Sequence, residues 1–569
     1  MQPEIVAREC RFAIHIPERH NIRPDLHLIK EQQHFSDGTV KPAIRLVKDF
    51  KRNFWVTKPS ARNYKQKREW QHTDNLLQYE CTDSQLRDAV AKALGLSHTN
   101  DHLKKLSVSP YLYGTDITAA SLIKKGYMDK YPNARTAYTV ASFDIETKLV
   151  GDKTIITMAT VAMKGKVFTS VASHLVKGIS NPQMALDVAM KKYLPDHYDK
   201  YEFELDVAKN ELDIIKNAFK KVHEWCPDIL AIWNMNYDIP RIMDMLERYR
   251  TKPEDIFCDP NVPEFARICK YKEGKKKKVT ASGKVTPISP AAQWHTLIVT
   301  AGYYVLDAMC VYKLLRLSKQ EQPSYALDAI LKAEGIGGKL KFTEADKYSG
   351  LRWHQFMQEN YPIEYIVYNR YDCISMLELD DKTKDLTLTL PEFAYVTEFS
   401  KFNSQPKRIA DALFFYLLET NYVLGCVGFN ESNNDNKELD IEDEEEVEET
   451  GDVLSLAGWI VTLPAELQVG GLRIIDGIHG MQTNIRGMVY DSDAVAAYPT
   501  ATKVSSVSKE TTVKEIIEIK GIKEELFRLQ NINLLAGPVN AIEYCVNMFK
   551  MPKPEQLLKI YKETHKCLQ

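Results

Sequence analysis

The sequence predicts a multidomain α/β protein, and three observations carry that prediction. A chain of 569 residues is too long for one hydrophobic core. β-Prone runs at Ala137–Ile145, Ile155–Met163 and Val167–Leu175 precede strand–helix alternation, the order expected of a mixed sheet with helices packed on it. A polar, almost aromatic-free stretch from Asn430 to Asp452 separates this region from a further β-rich and then helical segment.

Taken in order, residues 1–138 are mixed in composition and carry no chemical motif. After the three strands, Phe203 to Trp225 reads as one amphipathic helix, with Leu205, Ala208, Leu212, Ile215 and Phe219 at helical spacing. Asp228 to Trp233 is a strand leading into a helix that begins near Asp238. The segment KKKKVTASGKVTPI reads as a β-hairpin whose Val/Thr arms meet at Ser282-Gly283. Ile363 to about Lys384 is helical. The Asn/Glu/Asp-rich piece buries too little apolar surface to order itself and is expected to be a linker.

With 44% apolar and 27% charged residues the chain reads as globular. No apolar run approaches the roughly 20 residues a membrane span needs. The N-terminus, MQPEIVAREC, lacks an apolar core behind a basic start, so a cytoplasmic location is expected. Ten cysteines include no C-x-x-C pair, which argues against a zinc ribbon and a secreted disulfide framework. Reduced, mostly buried thiols are expected. Net charge is only −2, but Lys41 to Arg68 is basic with Phe50, Phe54, Trp55 and Tyr64 interleaved, and Lys275, Lys276, Lys277 and Lys278 are consecutive. Such stretches suit either a solvated face or a channel for single-stranded DNA. An acidic block runs from Glu438 to Asp452.

Four carboxylates stand out. Asp144 and Glu146 lie two apart at a strand end and therefore share one face. Asp238 follows Asn234 and Tyr237 at a strand-to-helix junction, where a carboxylate commonly caps free N–H groups. Tyr368 and Asp372 lie four apart on a helix, again on one face. Each element alone has an ordinary reading as surface charge, cap or helix contact. Carboxylates converging on two metals about 3.5–4 Å apart would activate water and clamp a phosphate.

The order D-x-E, N-x-x-Y-D, Y-x-x-x-D resembles the three exonuclease motifs of family B DNA polymerases, in particular the replicative enzymes of tailed bacteriophages. The resemblance runs from about Tyr138 onward and includes Gln322-Pro-Ser-Tyr-Ala-Leu327. It implies a ribonuclease-H-like 3′→5′ exonuclease domain at 139–384, with a primer-transfer hairpin near 275–288. It also implies an α+β N-terminal domain at 1–138 with a return segment at 385–430, then the linker at 431–452. Asp144, Glu146, Asp238 and Asp372 would hold two Mg²⁺ or Mn²⁺ ions, and Tyr368 would orient the water. The lysines at 275–278 would contact DNA.

Residues 453–569 resemble the start of a polymerase palm. Tyr490-Asp-Ser-Asp-Ala-Val-Ala-Ala-Tyr-Pro-Thr500 is similar to the first polymerase motif, D-x-x-S-L-Y-P-S. The resemblance makes Asp493 a metal ligand, puts Ala496 and Ala497 at the triphosphate, and sets Tyr498 beneath the deoxyribose. Ala496-Ala497 departs from the usual Ser-Leu. The motifs K-x-x-x-N-S-x-Y-G and Y-x-D-T-D-S do not occur after Thr500. The expectation is a split polymerase completed by a second polypeptide. The implied partners are single-stranded and primer–template DNA, a sliding clamp and other replisome proteins, in an infected bacterial cytoplasm and without a membrane. A stand-alone exonuclease, a fragment of a longer polymerase and a non-catalytic DNA-binding or scaffolding subunit remain as alternatives.

Overall fold

The computed structural model describes residues 3–65, 67–96, 101–279, 285–316, 321–345 and 347–426. It also gives the backbone of Ile532–Leu534 and Gly537–Val539, which pair antiparallel. Asp493, Ala496, Ala497, Tyr498 and the segment 430–452 lie outside the described residues. Residue contacts divide the chain into two units. The first comprises Met1–Val56, Gln78–Leu103 and Gly114–Val423; the second contains Thr57–Leu77, Lys104–Tyr113 and the chain from Leu424.

The first unit opens with three antiparallel strands, β1 (Ile5–Ile16), β2 (Leu26–Phe35) and β3 (Val40–Lys48). Helix α1 (Ala119–Lys130) packs Ala120 and Ile123 against Cys10, Ala13 and Ile29 of this sheet. The chain then forms β4 (Val140–Val150), β5 (Lys153–Met163), β6 (Lys166–Ala172), β7 (Glu202–Ala208), helix α2 (Glu211–Trp225), β8 (Ile229–Ile232) and helix α3 (Met235–Arg248). There follow β9 (Cys269–Lys272), β10 (Thr296–Val299), β11 (Tyr304–Asp307) and helices α4 (Leu351–Asn360) and α5 (Pro362–Thr383). Strands β4–β11 make one eight-stranded mixed sheet in the order β7-β6-β5-β4-β8-β11-β10-β9. β4, β8 and β11 run parallel at its centre.

Alternation along β4 sets the two layers. Ala141, Phe143 and Ile145 point to one side and pack with Ile214, Phe219 and Ile239 of α2 and α3. The Phe143 and Phe219 rings lie 5.2 Å apart. Ser142 points to the other side and donates to the Cys373 carbonyl of α5 at 2.8 Å. Asp144 and Glu146 share that side. A bulge between Glu146 and Thr147 interrupts the register with β5 and ends the regular alternation just past the second carboxylate.

The segment 203–225 is not one helix. Glu202–Ala208 pairs in parallel register with β6, from Lys166↔Glu202 to Ala172↔Ala208. Its apolar residues Phe203, Leu205 and Val207 alternate with acids, a period of two that wins over the helical spacing. Asn210 then accepts from the Asp213 amide at 2.9 Å and starts α2. Helix α3 begins at Met235, three residues before the expected start, so Asp238 lies inside its first turn and is not a cap. The capping carboxylate is Asp307, which accepts from the Met235 amide at 3.0 Å and the Cys310 amide at 3.1 Å.

A buried carboxylate ties the N-terminal sheet to the central one. Asp228, at the mouth of β8, accepts from the Thr139 amide at 2.9 Å and Gln32 Nε2 at 3.0 Å. The fully buried Arg11 guanidinium lies 3.3 Å from it and Lys30 Nζ 3.9 Å. Asp228→Ala removes the acceptor shared by Arg11, Thr139 and Gln32 and leaves Arg11 to Glu9 and Lys30 to the Cys226 and Gly302 carbonyls; breaking a buried pair of this kind typically costs about 3–5 kcal/mol. Urea unfolding of the full chain should show a loss of that size; a loss below about 1 kcal/mol would show that Glu9 and the two carbonyls suffice for the cations.

Candidate active site

Three segments bring the predicted carboxylates together. β4 supplies Asp144 and Glu146, α3 supplies Asp238, and α5 supplies Asp372. One oxygen from each of Asp144, Glu146 and Asp372 lies within 4.8 Å of the others. Asp238, 2% exposed, stands beside this trio, close enough for the charges of Asp144 and Glu146 to act on it.

Burial and mutual repulsion shape the titration of the cluster. Desolvation, followed by the charges of Glu146 and Asp372, raises the Asp144 carboxyl well above its usual range. Desolvation and then Asp144 and Glu146 do the same to Asp238. Asp372 is pushed up to about 6, again chiefly by desolvation, with Lys339 pulling in the opposite direction.

Each carboxylate but Asp238 has a specific donor. Asn369 Nδ2 donates to Asp144 Oδ2 at 2.6 Å, and the Tyr365 hydroxyl donates to Glu146 Oε2 at 2.5 Å. His354 Nδ1 lies 3.2 Å from the same Glu146 oxygen. Lys339 Nζ donates to Asp372 Oδ2 at 2.5 Å and to the Tyr368 hydroxyl at 2.9 Å. The end of β4 is held from two sides. Gln358 of α4 donates to the Thr147 carbonyl at 2.9 Å, and Tyr237 of α3 meets the Thr147 hydroxyl at 2.9 Å.

Lys339, Asn369, Tyr365, His354 and Gln358 join the site without having been expected from the sequence. Two of them had a signal: Tyr365, Tyr368, Asn369 and Asp372 follow the i, i+3, i+4, i+7 spacing of one helix face. Lys339 had a fainter one in the preceding Gly337-Gly338. Gly337 takes φ +119°, and a Cβ on Gly338 would fall 2.7 Å from Asp328 Oδ1. That close approach lets Asp328 Oδ1 accept from the Lys339 amide at 2.8 Å, which fixes the backbone from which Lys339 reaches Asp372. His354 and Gln358 lie on a short helix with no pattern of its own.

The predicted DNA-contacting lysines belong to a separate short hairpin. Lys275 to Lys278 are exposed, and Lys277–Val279 pairs antiparallel with Val285–Pro287. Lys276 pairs with Glu273 at 2.6 Å. Of the aromatic residues interleaved in the basic stretch, Phe54 and Trp55 are buried in the core and unavailable for stacking on bases. Packing, not ligand contact, explains both. In the second unit the Tyr64 ring carries the Arg68 guanidinium at 3.8 Å, and its hydroxyl meets those of Thr57 at 2.6 Å and Tyr113 at 2.9 Å. No disulfide occurs among the described residues, where Cys10, Cys81, Cys258, Cys310 and Cys373 are buried thiols. No described helix is long and apolar enough to cross a membrane.

Residues 107–330 match the family model described as DNA polymerase family B, exonuclease domain. The similarity is to a nuclease. The matched segment contains Asp144, Glu146 and Asp238 and ends before Lys339 and Asp372; the fold brings Asp372, singled out from the sequence, into the cluster and Lys339 onto it. No curated protein matches the chain.

The donor set suits a hard divalent cation, since every candidate ligand is a carboxylate oxygen. Asp372 Oδ1 is buried without a hydrogen-bond partner, as a ligand awaiting a cation would be. A dication also removes the repulsion that raises these pKa values. In the chelated protein the folded state holds protons that the unfolded chain releases above about pH 4, so the cluster's contribution to stability falls as pH rises through the Asp372 value of about 6. Adding Mg²⁺ should therefore raise the melting temperature, and by more at pH 8 than at about pH 5. An equal shift at both pH values, read by differential scanning fluorimetry, would show that Mg²⁺ binds away from these carboxylates.

Proposed function

We propose that this protein removes 3′-terminal nucleotides from single-stranded or frayed primer DNA, releasing deoxynucleoside monophosphates, as the proofreading part of a phage-type replicative polymerase. The observation that carries the reading is the convergence of Asp144, Glu146 and Asp372 beside Asp238 in the nuclease-like fold. In this reading the four carboxylates hold two Mg²⁺ or Mn²⁺ ions, which when bound supply positive charge to the scissile phosphate and the leaving 3′-oxygen.

The chain's own groups have definable tasks. Asn369 and Tyr365 fix the orientation of the Asp144 and Glu146 oxygens. Lys339 opposes the desolvation that raises Asp372 and donates to the Tyr368 hydroxyl from the same atom. Tyr368 then has an O–H to offer to the attacking water, whose proton load the neighbouring carboxylates are placed to accept. The exposed lysines at 275–278 lend the hairpin positive charge for DNA phosphates.

The domain division expected from the sequence belongs to the same proposal, as does a cytoplasmic setting in an infected bacterium. Asp493, Ala496, Ala497 and Tyr498 would contribute to a polymerase site only together with the two motifs this sequence lacks. We assign those to a second polypeptide, acting with a sliding clamp and other replisome proteins; a longer form of this chain is the competing source. A non-catalytic scaffold is disfavoured, because three buried acids and a half-buried fourth are a costly remnant to keep without a cation.

The decisive assay uses a 5′-labelled primer–template with Mg²⁺, with and without deoxynucleotides. The chain alone should shorten the primer in both cases and extend it in neither. Asp144→Ala should slow shortening by at least about a hundredfold while leaving DNA binding in place. Binding without hydrolysis by the unaltered chain would favour the scaffold, and extension by it alone would overturn the need for a partner.

A further inference from the structure

A second cluster of potential ligands lies in the N-terminal sheet, and it does not depend on the nuclease reading. His15 of β1 and His27 of β2 are directly opposed in the antiparallel register, so their side chains stand on one face. Their rings stack with centroids 4.9 Å apart. Asp83, from the turn after Leu76–Cys81, completes the group, and one donor atom from each of the three lies within 4.8 Å of the others.

The hydrogen bonding around the cluster is incomplete in a specific way. His27 is 0% exposed, yet neither of its ring nitrogens has a hydrogen-bond partner. Its Nδ1 lies 3.7 Å from Asp25 Oδ1, too far for a hydrogen bond, and that oxygen is also buried and unpartnered. His15 is held differently. Its Nε2 meets Asp25 Oδ2 at 2.9 Å, which turns its Nδ1 toward Asp83 Oδ2 at 3.6 Å. The Ser84 amide fixes Asp25 Oδ2 at 2.9 Å. A carboxylate on one imidazole nitrogen with the other nitrogen facing further ligands is the arrangement that orients histidine on a metal.

The charges leave room for a cation. Arg52 Nη1 satisfies Asp83 Oδ1 at 2.7 Å and leaves Oδ2 toward His15. Asp25 and Asp83 together outweigh that one arginine, and Glu398 adds a third negative charge at longer range. Phe50 closes the group against the edge of His27 at 5.7 Å. Ligand atoms about 2.0–2.2 Å from a tetrahedral ion stand about 3.4 Å apart, so modest side-chain rotation closes the cluster.

We propose that His15, His27 and Asp83 form a binding site for a divalent first-row transition-metal ion of the Zn²⁺ type, with Asp25 as the carboxylate that orients His15. Two imidazoles and one carboxylate select such an ion over Mg²⁺, which prefers oxygen ligands alone. The ion would clasp β1 and β2 to the turn at Asp83 and act as a structural staple of the N-terminal sheet.

The test uses the full chain, stripped with chelator and then exposed to Zn²⁺ in excess Mg²⁺, which occupies oxygen-only sites. Bound metal is counted by mass spectrometry after gel filtration, and affinity is read by competition with a chromophoric chelator. One Zn²⁺ should be retained by the unaltered chain and by Asp144→Asn, and bound at least about tenfold more weakly by His15→Gln and Asp83→Asn. His15 is partly exposed, so His15→Gln should fold, keep its Mg²⁺-dependent hydrolysis and lose only the Zn²⁺-induced rise in melting temperature. Equal retention by both ligand variants, loss in Asp144→Asn alone, or no retention by the unaltered chain would each overturn the site.

Discussion

The mutual repulsion of four carboxylates, three of them buried and one half-buried, gathered from three distant segments, is the constraint on which the first unit is built. At an effective dielectric near 20, two like charges about 4 Å apart cost about 4 kcal/mol. Several such pairs would rival the whole stability of an ordinary domain. The fold answers with positive charge from Lys339, donors from Asn369 and Tyr365, and protons taken up by Asp144, Asp238 and Asp372 as their pKa values rise. Each response is partial, and the unpartnered Asp372 Oδ1 marks where the remainder falls. A divalent cation is the simplest completion of the set.

Holding repelling groups together requires supports that do not yield. β4 lies inside an eight-stranded sheet, with Phe143 and Ile145 packed on one side so that Asp144 and Glu146 must point to the other. α5 is buried on every side, from Tyr365 through Leu377, so the carboxylate it carries cannot swing away by tilting the helix. Asp307 anchors the start of α3 to the neighbouring strand and thereby sets the position of Asp238. The cost of the site is met by apolar packing on the opposite face of the sheet.

The parts of this arrangement that were legible in the sequence are those with a short period. Asp144 and Glu146 are two apart on a strand, and Tyr368 and Asp372 are four apart on a helix; both spacings state a shared face directly. The same logic misread Phe203 to Trp225, because Leu205, Ala208 and Leu212 also satisfy a helical period. Only the pairing with β6 and the cap at Asn210 reveal the strand. His354 was not legible as a site residue, and Lys339 only faintly, through the two glycines before it. Their contacts cross 33 residues to Asp372 and more than 200 to Glu146, and nothing local in either segment encodes that meeting. Phe54 and Trp55 show the opposite error: aromatics among basic residues suggested a surface for bases, whereas the core claims them.

Lysine at position 339 suits this site in a way that arginine would not. A guanidinium pairs with a carboxylate through two parallel bonds and would occupy both oxygens of Asp372. The single ammonium reaches Asp372 Oδ2 and the Tyr368 hydroxyl from one atom and leaves Oδ1 uncovered. Its flexible stem, partly exposed, allows the charge to withdraw as another cation arrives. Lys339 thus neutralises the carboxylate without occupying both of its oxygens, and this division of one carboxylate between a resident cation and an uncovered oxygen is what lets repelling groups be held together without closing off every acceptor among them.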